Sequence, residues 1–273
     1  MIDLHVHTWR CRHADGTPDQ YVAAAAERGV SVLAFTEHLP LPAALAQRVP
    51  GAAGYAMPAE EFAEYVAEVA RAAALGRELG VEVLLGTEID AVPQARDHAA
   101  ALLAEHPFDL VSGSVHLIDD WAFDDPAHQA YYARWRTAEL WERYFHDLAE
   151  VARSGLADVM AHPDLIKKFC GAPENSVTHL FESAAEVFAE AGVAVEVNTA
   201  GLRKPCREIY PSLELLSAMR RRGVSATIGS DAHCPGDVGA EGRLAVELLE
   251  QAGYRSVVVF RARVPEEVGL HEL

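Results

Sequence analysis

The sequence predicts an α/β barrel built as a single domain over residues 1–273, with a metal-binding rim at one end. Three observations carry that prediction. Short, nearly continuous apolar runs alternate with longer segments of helical periodicity, the pattern of parallel strands covered by helices. Six of the runs lead into histidine, glutamate or aspartate, residue types that bind transition metals. These residues come from the first strand through the seventh, and an open sheet would spread them by ~5 Å per strand. A barrel brings them to one rim, at the carboxyl ends of its strands, where barrel enzymes hold their active sites.

The first strand is expected near 2–6, in Ile2-Asp3-Leu4-His5-Val6-His7. Pro18-Asp19 then opens an Ala-rich helix, since proline is pre-set for the first helical position, and Gly29 closes it. A strand near 31–36 runs through Thr36-Glu37-His38 into residues 39–57, rich in Pro, Ala and Gly. This longest irregular stretch is suited to a loop over the site. Pro58-Ala59-Glu60-Glu61 opens a long helix with Phe62, Tyr65, Val66, Val69 and Ala73 on one face. Strands near 82–86 and 109–114 lead to Glu88 and His116. Trp135, Leu140, Trp141, Tyr144, Phe145 and Leu148 give the apolar side of a helix from Tyr131 to Arg153. Strands near 157–161, 194–198 and 225–229, with helices near 176–191, 211–222 and 241–251, complete seven units. Ser256 to Phe260 is a candidate eighth strand, and neither a repeat nor a polar linker divides the chain.

Half the residues are hydrophobic, enough for a sizeable core, and the charge is 23 − 41 = −18. Such an acidic chain is a poor general partner for nucleic acid or anionic membranes. An anionic small molecule stays open as a substrate, because bound metal ions reverse the local sign. No run approaches the ~20 apolar residues of a membrane span. No basic and apolar leader precedes the first strand, and the expected location is the cytoplasm. Cys11, Cys170, Cys206 and Cys234 are scattered without a C-x-x-C pair, as reduced thiols are. A homo-oligomer is compatible with all of this, but nothing in the sequence fixes the state.

Nine residues form the candidate metal set: His5, His7, His13, His38, Glu88, His116, His162, Asp231 and His233. His5 and His7 stand at i, i+2 on a strand, so both imidazoles point to one face. Asp231 and His233 repeat that spacing. Glu88 and Asp231 are carboxylates at strand ends, where an unpaired charge is costly and a cation is the natural partner. Nine ligands exceed the three that one catalytic zinc uses, and suggest two or three divalent ions with Glu88 as a bridge. The chemistry this supports is hydrolysis, because metal coordination lowers the pKa of water toward ~7. His5, His7, Glu88, Asp231 and His233 are the expected catalytic residues. Zinc, manganese and iron all suit such a donor set.

Asp3-Leu4-His5-Val6-His7-Thr8, Thr36-Glu37-His38, Glu88, Ser114-Val115-His116, Ala161-His162-Pro163-Asp164 and Ser230-Asp231-Ala232-His233 together resemble the PHP family, named for its polymerase and histidinol-phosphatase members. The resemblance runs over essentially the whole chain. It implies a distorted (β/α)7, TIM-like barrel with a two- or three-metal phosphoesterase site. It also implies a partition, with His5, His7, Glu88 and Asp231 on one ion and Glu88 bridging to a second held by His116 and His162. His13, His38 and His233 would hold a third. Glu37 departs from the aspartate common at its position, and its longer side chain could shift hydrogen bonds behind the ligands.

Within the family the chain is most similar to the monofunctional histidinol-phosphate phosphatases. The similarity lies in His162-Pro163-Asp164-Leu165-Ile166-Lys167-Lys168-Phe169, in Glu196-Val197-Asn198-Thr199-Ala200-Gly201-Leu202-Arg203 and in Glu208-Ile209-Tyr210-Pro211. It implies hydrolysis of L-histidinol phosphate in histidine biosynthesis, by in-line attack of metal-activated hydroxide without a phosphoenzyme. Lys167, Lys168 and Arg203 follow strand ends and are the expected phosphate contacts, as guanidinium forks and ammonium point charges suit phosphate oxygens. Glu208, Tyr210 and Asp164 are candidates for the substrate's imidazole and amine. The alternatives are another small phosphomonoester or a nucleotide as substrate, an amidohydrolase on the same barrel, or a metal-binding protein without turnover.

Overall fold

The computed structural model describes residues 1–51, 54–90, 93 and 95–273. Seven parallel strands form one sheet in sequential order: β1 (Ile2–Val6), β2 (Val32–Phe35), β3 (Glu82–Asp90), β4 (Leu110–Ser114), β7 (Val159–Met160), β8 (Ala194–Asn198) and β9 (Ala226–Gly229). The short strands β5 (Leu117–Ile118) and β6 (Trp121–Ala122) pair antiparallel in the loop between β4 and β7. Helices α1 (Pro18–Arg28), α3 (Phe62–Leu79), α4 (Arg96–Glu105), α5 (Thr137–Arg153), α7 (Thr178–Ala191), α8 (Leu213–Arg221) and α9 (Gly242–Gln251) cover it. The short helices α2 (Ala43–Ala46) and α6 (Lys167–Cys170) sit in loops at the strand ends. The architecture is the single (β/α)7 barrel expected.

Closure joins the first strand to the last. Val6 bridges to Ala232, the His7 amide donates to the Ala232 carbonyl at 2.9 Å, and the Asp231 amide donates to the His5 carbonyl at 2.8 Å. Asp3, 1% exposed, is the clasp. Its carboxylate accepts from the Ser230 amide at 2.8 Å, the Ser230 hydroxyl at 2.5 Å and the Gly239 amide at 2.8 Å. Those donors satisfy a buried carboxylate that would otherwise be costly.

Several boundaries differ from expectation. β3 is longer than predicted and runs to Asp90. The helix expected from Tyr131 begins only at Thr137, because Trp135 and Arg136 are extended. Residues 126–134 instead form tighter 3₁₀ turns, with Tyr131 and Tyr132 packed on Trp121. Helix α4 carried no sequence signal; its Ala-rich stretch buries only Ala99. The candidate eighth strand exists as β10 (Ser256–Arg261), but it pairs antiparallel with β11 (Val264–Gly269) in a hairpin apart from the barrel sheet. At the hairpin turn, Arg261 pairs with Glu82, Arg263 pairs with Asp158, and the Arg263 amide donates to the Asp109 carbonyl. These partners precede or begin β3, β7 and β4, so the hairpin seals the amino-terminal end of the barrel. Among the described residues, no helix is long and apolar enough to cross a membrane.

One glycine marks how tightly the far end is filled. A Cβ on Gly229 would collide with Glu196 Oε1 and lie 2.5 Å from His5 Cβ. Gly229→Ala is therefore expected to destabilise the barrel by about 1–3 kcal/mol through overpacking. That should lower the thermal midpoint by roughly 2–12 °C, checked by calorimetry.

Candidate metal centre and substrate cavity

The strand ends bring all nine sequence-predicted residues together. His5 and His7 leave β1 with their Nε2 atoms 3.0 Å apart. Asp231 follows β9 in a left-handed conformation, φ 52°, and puts Oδ1 3.4 Å from His7 Nε2. His162, after β7, is also left-handed at φ 29°. Such backbone is unfavourable for residues with a Cβ and persists where the surroundings impose it, commonly at functional sites. Glu88, in β3, stands at the centre. Its Oε2 lies 3.5 Å from His5 and His7 and 3.0 Å from His38; its Oε1 lies 2.9 Å from His162 and 3.7 Å from His116. The outer imidazoles of His13, His38 and His233 form a further group whose donor atoms all fall within 4.8 Å of one another.

Behind these side chains lies a shell of acceptors that turns their other nitrogens inward or outward. Glu196 Oε1 is 2.7 Å from His5 Nδ1, while its Oε2 accepts from the His162 amide at 2.9 Å. Glu37 contacts His7 Nδ1 at 3.3 Å and is fixed by the Thr8 amide and hydroxyl at 2.8 and 2.6 Å. The longer side chain at position 37 thus supports His7 directly. Asp90 accepts from the His116 amide at 2.8 Å and touches its Nδ1 at 3.1 Å. Tyr55, from the loop over 39–57, donates to Asp90 and lies 2.7 Å from His116 Nδ1. That loop does cover the site, although its Ala52 and Ala53 lie outside the described residues. Asp90 and Tyr55 carried no sequence signal, and Glu196 stood out only as part of the segment 196–203 that resembles the histidinol-phosphate phosphatases.

Burial disfavours charge on the imidazoles, and the carboxylates reverse that for three of them. Glu196, Glu88 and Asp231 hold His5 well above its ordinary pKa. Hydrogen bonds to Asp231 and Glu37 raise His7 to about 9, and Asp90 and Glu88 raise His116 to about 10. Burial dominates at His38, which falls to about 4. For Glu88, burial opposes ionisation, but His5, His116 and His38 hold it well below the carboxylate range.

Three buried atoms here, His38 Nδ1, Glu88 Oε2 and His162 Nδ1, lack a hydrogen-bond partner among the described residues. His38 Nδ1 and Glu88 Oε2 are 3.0 Å apart but misaligned for such a bond. Orphaned buried atoms of this kind cost about 1–3 kcal/mol each. A divalent cation satisfies imidazole nitrogen and carboxylate oxygen together, so the donor set fits divalent transition metals.

A cavity of about 470 Å³ opens above this cluster. Eight of the nine residues line it, His5 lying beneath, and Val49, Leu117, Ala122 and Leu165 give an apolar wall. Lys168 lines it, with Nζ bound to the Asp124 carbonyl at 2.7 Å and carboxylate at 3.2 Å. The other two expected phosphate contacts do not. Lys167 is buried, 6% exposed, and its Nζ is held by Asp164 at 2.9 Å, Glu208 at 3.1 Å and the Ile209 carbonyl at 2.8 Å. Those bonds also turn Asp164 and Glu208 away from the cavity. Arg203 is spent on the Ser230 carbonyl at 2.6 Å, Glu241 at 2.6 Å and Asp237 at 3.4 Å. Its neighbour Lys204 lines the cavity instead, and makes no ion pair among the described residues. Tyr210 lines it as well.

Residues 3–200 match the family model of the PHP domain. The chain belongs to the PHP domain family. This PHP domain is 38% identical, over 96% of its length and 97% of the relative's, to a "Probable histidinol-phosphatase" of Deinococcus radiodurans. It is 27% identical to a "Histidinol-phosphatase" of Bacillus subtilis, covering 87% of this chain and 95% of that one. Its fold matches the histidinol phosphate phosphatase of Lactococcus lactis, solved with zinc, L-histidinol and phosphate, at a TM-score of 0.80. That match covers 97% of this chain and 98% of the other at 20% identity, a likeness of fold.

Two outcomes follow for the PHP domain's metal centre. Glu196→Gln removes the carboxylate behind His5, and loss of such support typically weakens metal binding 10–100-fold, measurable by competition with a chromogenic chelator. Metal ligation needs neutral imidazole, while the carboxylates around His5, His7 and His116 favour their protonated forms in the metal-free protein. Zinc loading at pH 7.5 is therefore expected to release at least one proton per chain, and apparent affinity should rise with pH toward 9–10. Calorimetric titration in buffers of different ionisation enthalpy reads both.

Proposed function

We propose that this chain is a metal-dependent phosphomonoesterase that hydrolyses L-histidinol phosphate to L-histidinol and phosphate. The observation carrying the reaction class is a cluster of seven imidazoles and two carboxylates on the floor of a small cavity that also presents Lys168 and Lys204. The substrate reading rests on the 38% identity to the Deinococcus radiodurans relative over almost the full chain. The L. lactis structure, solved with L-histidinol and phosphate, accords with it.

His5, His7, Glu88 and Asp231 would hold one ion, and His116 and His162 a second across Glu88. The two faces of Glu88 support this, since Oε2 turns to His5 and His7 and Oε1 to His162. His13, His38 and His233 would hold a third, with His38 also within reach of Glu88 and His116. When bound, such ions supply an activated water and positive charge at the phosphoryl group. The chain's own residues do the remaining work. Glu196, Glu37 and Asp90 fix His5, His7 and His116 in orientation. Lys168 and Lys204 meet phosphoryl oxygens, and the apolar wall of Val49, Leu117 and Leu165 limits competing water.

Phosphate release from L-histidinol phosphate beside a panel of sugar phosphates and mononucleotides, with zinc-, manganese- and iron-loaded protein, tests the reading. The expected result is a preference for L-histidinol phosphate of at least tenfold in kcat/KM. Equal or faster turnover of nucleotides would keep the phosphomonoesterase and overturn the substrate. Lys204→Ala removes a charge-assisted contact of about 1.5–3 kcal/mol, so kcat/KM should fall roughly 10–100-fold. Stripping the metal with a chelator should lower the thermal midpoint by roughly 8–16 °C, as loss of a ligand near 1,000 times its Kd implies.

A further inference from the structure

Four carboxylates line the cavity: Glu88, Asp124, Asp125 and Asp231. Glu88 and Asp231 belong to the metal cluster. Asp125 is occupied as a cap, accepting from the Ala127 amide at 2.8 Å and contacting His128 Nδ1 at 2.8 Å. Asp124 is different. Its carboxylate makes one contact among the described residues, Oδ2 to Lys168 Nζ at 3.2 Å, while Oδ1 has none. Lys168 Nζ is itself anchored by the Asp124 carbonyl at 2.7 Å, so the ammonium stays in place if the carboxylate turns to another cation. Burial opposes ionisation of Asp124, but Lys168 and then His116 hold it down to about 2, so it is a carboxylate throughout the physiological range.

We infer that the Asp124–Lys168 ion pair is a specificity element that selects phosphate monoesters carrying an ammonium group close to the ester oxygen. The inference rests on the phosphomonoesterase reading above and deepens it. An anion and a cation side by side on the cavity wall mirror a substrate with a phosphate and an amine separated by two carbons. Lys168 meets a phosphoryl oxygen and Asp124 Oδ1 accepts from the amine, so the pair exchanges its internal contact for two contacts of the same sign pattern. An ester without the amine leaves Asp124 with its original partner and competes with it for Lys168. Discrimination follows from the unmatched charge, since a site built for a polar group rejects the analogue lacking it.

The test uses the zinc-loaded protein with L-histidinol phosphate and its desamino analogue, 3-(imidazol-4-yl)propyl phosphate. Wild type is expected to favour the aminated ester at least 30-fold in kcat/KM. Asp124→Asn should cut that ratio to within about threefold, mainly by raising KM for the aminated ester. Lys168→Met, which keeps the carboxylate, should slow both esters and retain most of the preference. A second measurement needs no variant: L-histidinol should inhibit wild type at least tenfold more tightly than 3-(imidazol-4-yl)propanol. Equal inhibition by the two alcohols would overturn the inference, as would an Asp124→Asn enzyme with its preference intact. Failure of the substrate reading is separate, because it appears as wild type turning over unrelated phosphomonoesters as well as L-histidinol phosphate.

Discussion

Glu88 sets a carboxylate, 2% exposed, among five imidazoles at the centre of the barrel rim. An isolated charge there would be prohibitive, and the group would take up a proton instead. It stays ionised because His5, His116 and His38 face it, with the Ser114 hydroxyl donating to Oε1. His5 and His116 are in turn fixed from behind, by Glu196 and Asp90. The polar interior is therefore one connected network rather than a set of separate ligands, and its members depend on one another's charge.

The barrel separates this network from the interactions that close its opposite end. Around the amino-terminal ends of β3, β4 and β7, the hairpin turn at Arg261 and Arg263 draws together Glu82, Asp109 and Asp158. The charges there are ordinary Arg–carboxylate pairs. At the carboxyl ends the balance is reversed: acids and imidazoles predominate, and three atoms of the metal cluster lack a partner among the described residues. Such division lets one end tolerate the left-handed backbone at His162 and Asp231 while the other holds the strands in register.

The sequence made the fold and the nine-residue cluster legible because both rest on local pattern. A buried parallel strand must be apolar, and a ligand at its end interrupts that run visibly, as at His38 and His116. What escaped was set by long-range geometry. Glu196 reads as an ordinary strand residue until β8 is seen beside β1, where it meets His5. Tyr55 lies in a stretch without periodicity and gains its place only from the fold of the loop. The expected phosphate contacts show the same limit. Lys167, Lys168, Arg203 and Lys204 are equivalent as charges in a string, yet α6 turns Lys167 into the protein and the turn after β8 commits Arg203 to Ser230 and Glu241. Which of two adjacent cations faces the cavity depends on about a third of a helical turn, below the resolution of sequence pattern.

The clasp at Asp3 joins partners 227 residues apart in the chain. His5 and His7 are synthesised with the first strand of the barrel, and Asp231 and His233 only after six further barrel strands have been made. A half-synthesised chain thus carries an H-x-H pair without the Asp231 carboxylate that completes its cluster. The centre is assembled by the same event that closes the barrel, so a chain that stalls or is cut short before β9 has neither a sealed sheet nor a complete site. Closing the barrel and completing the cluster of ligand-type side chains are here a single step.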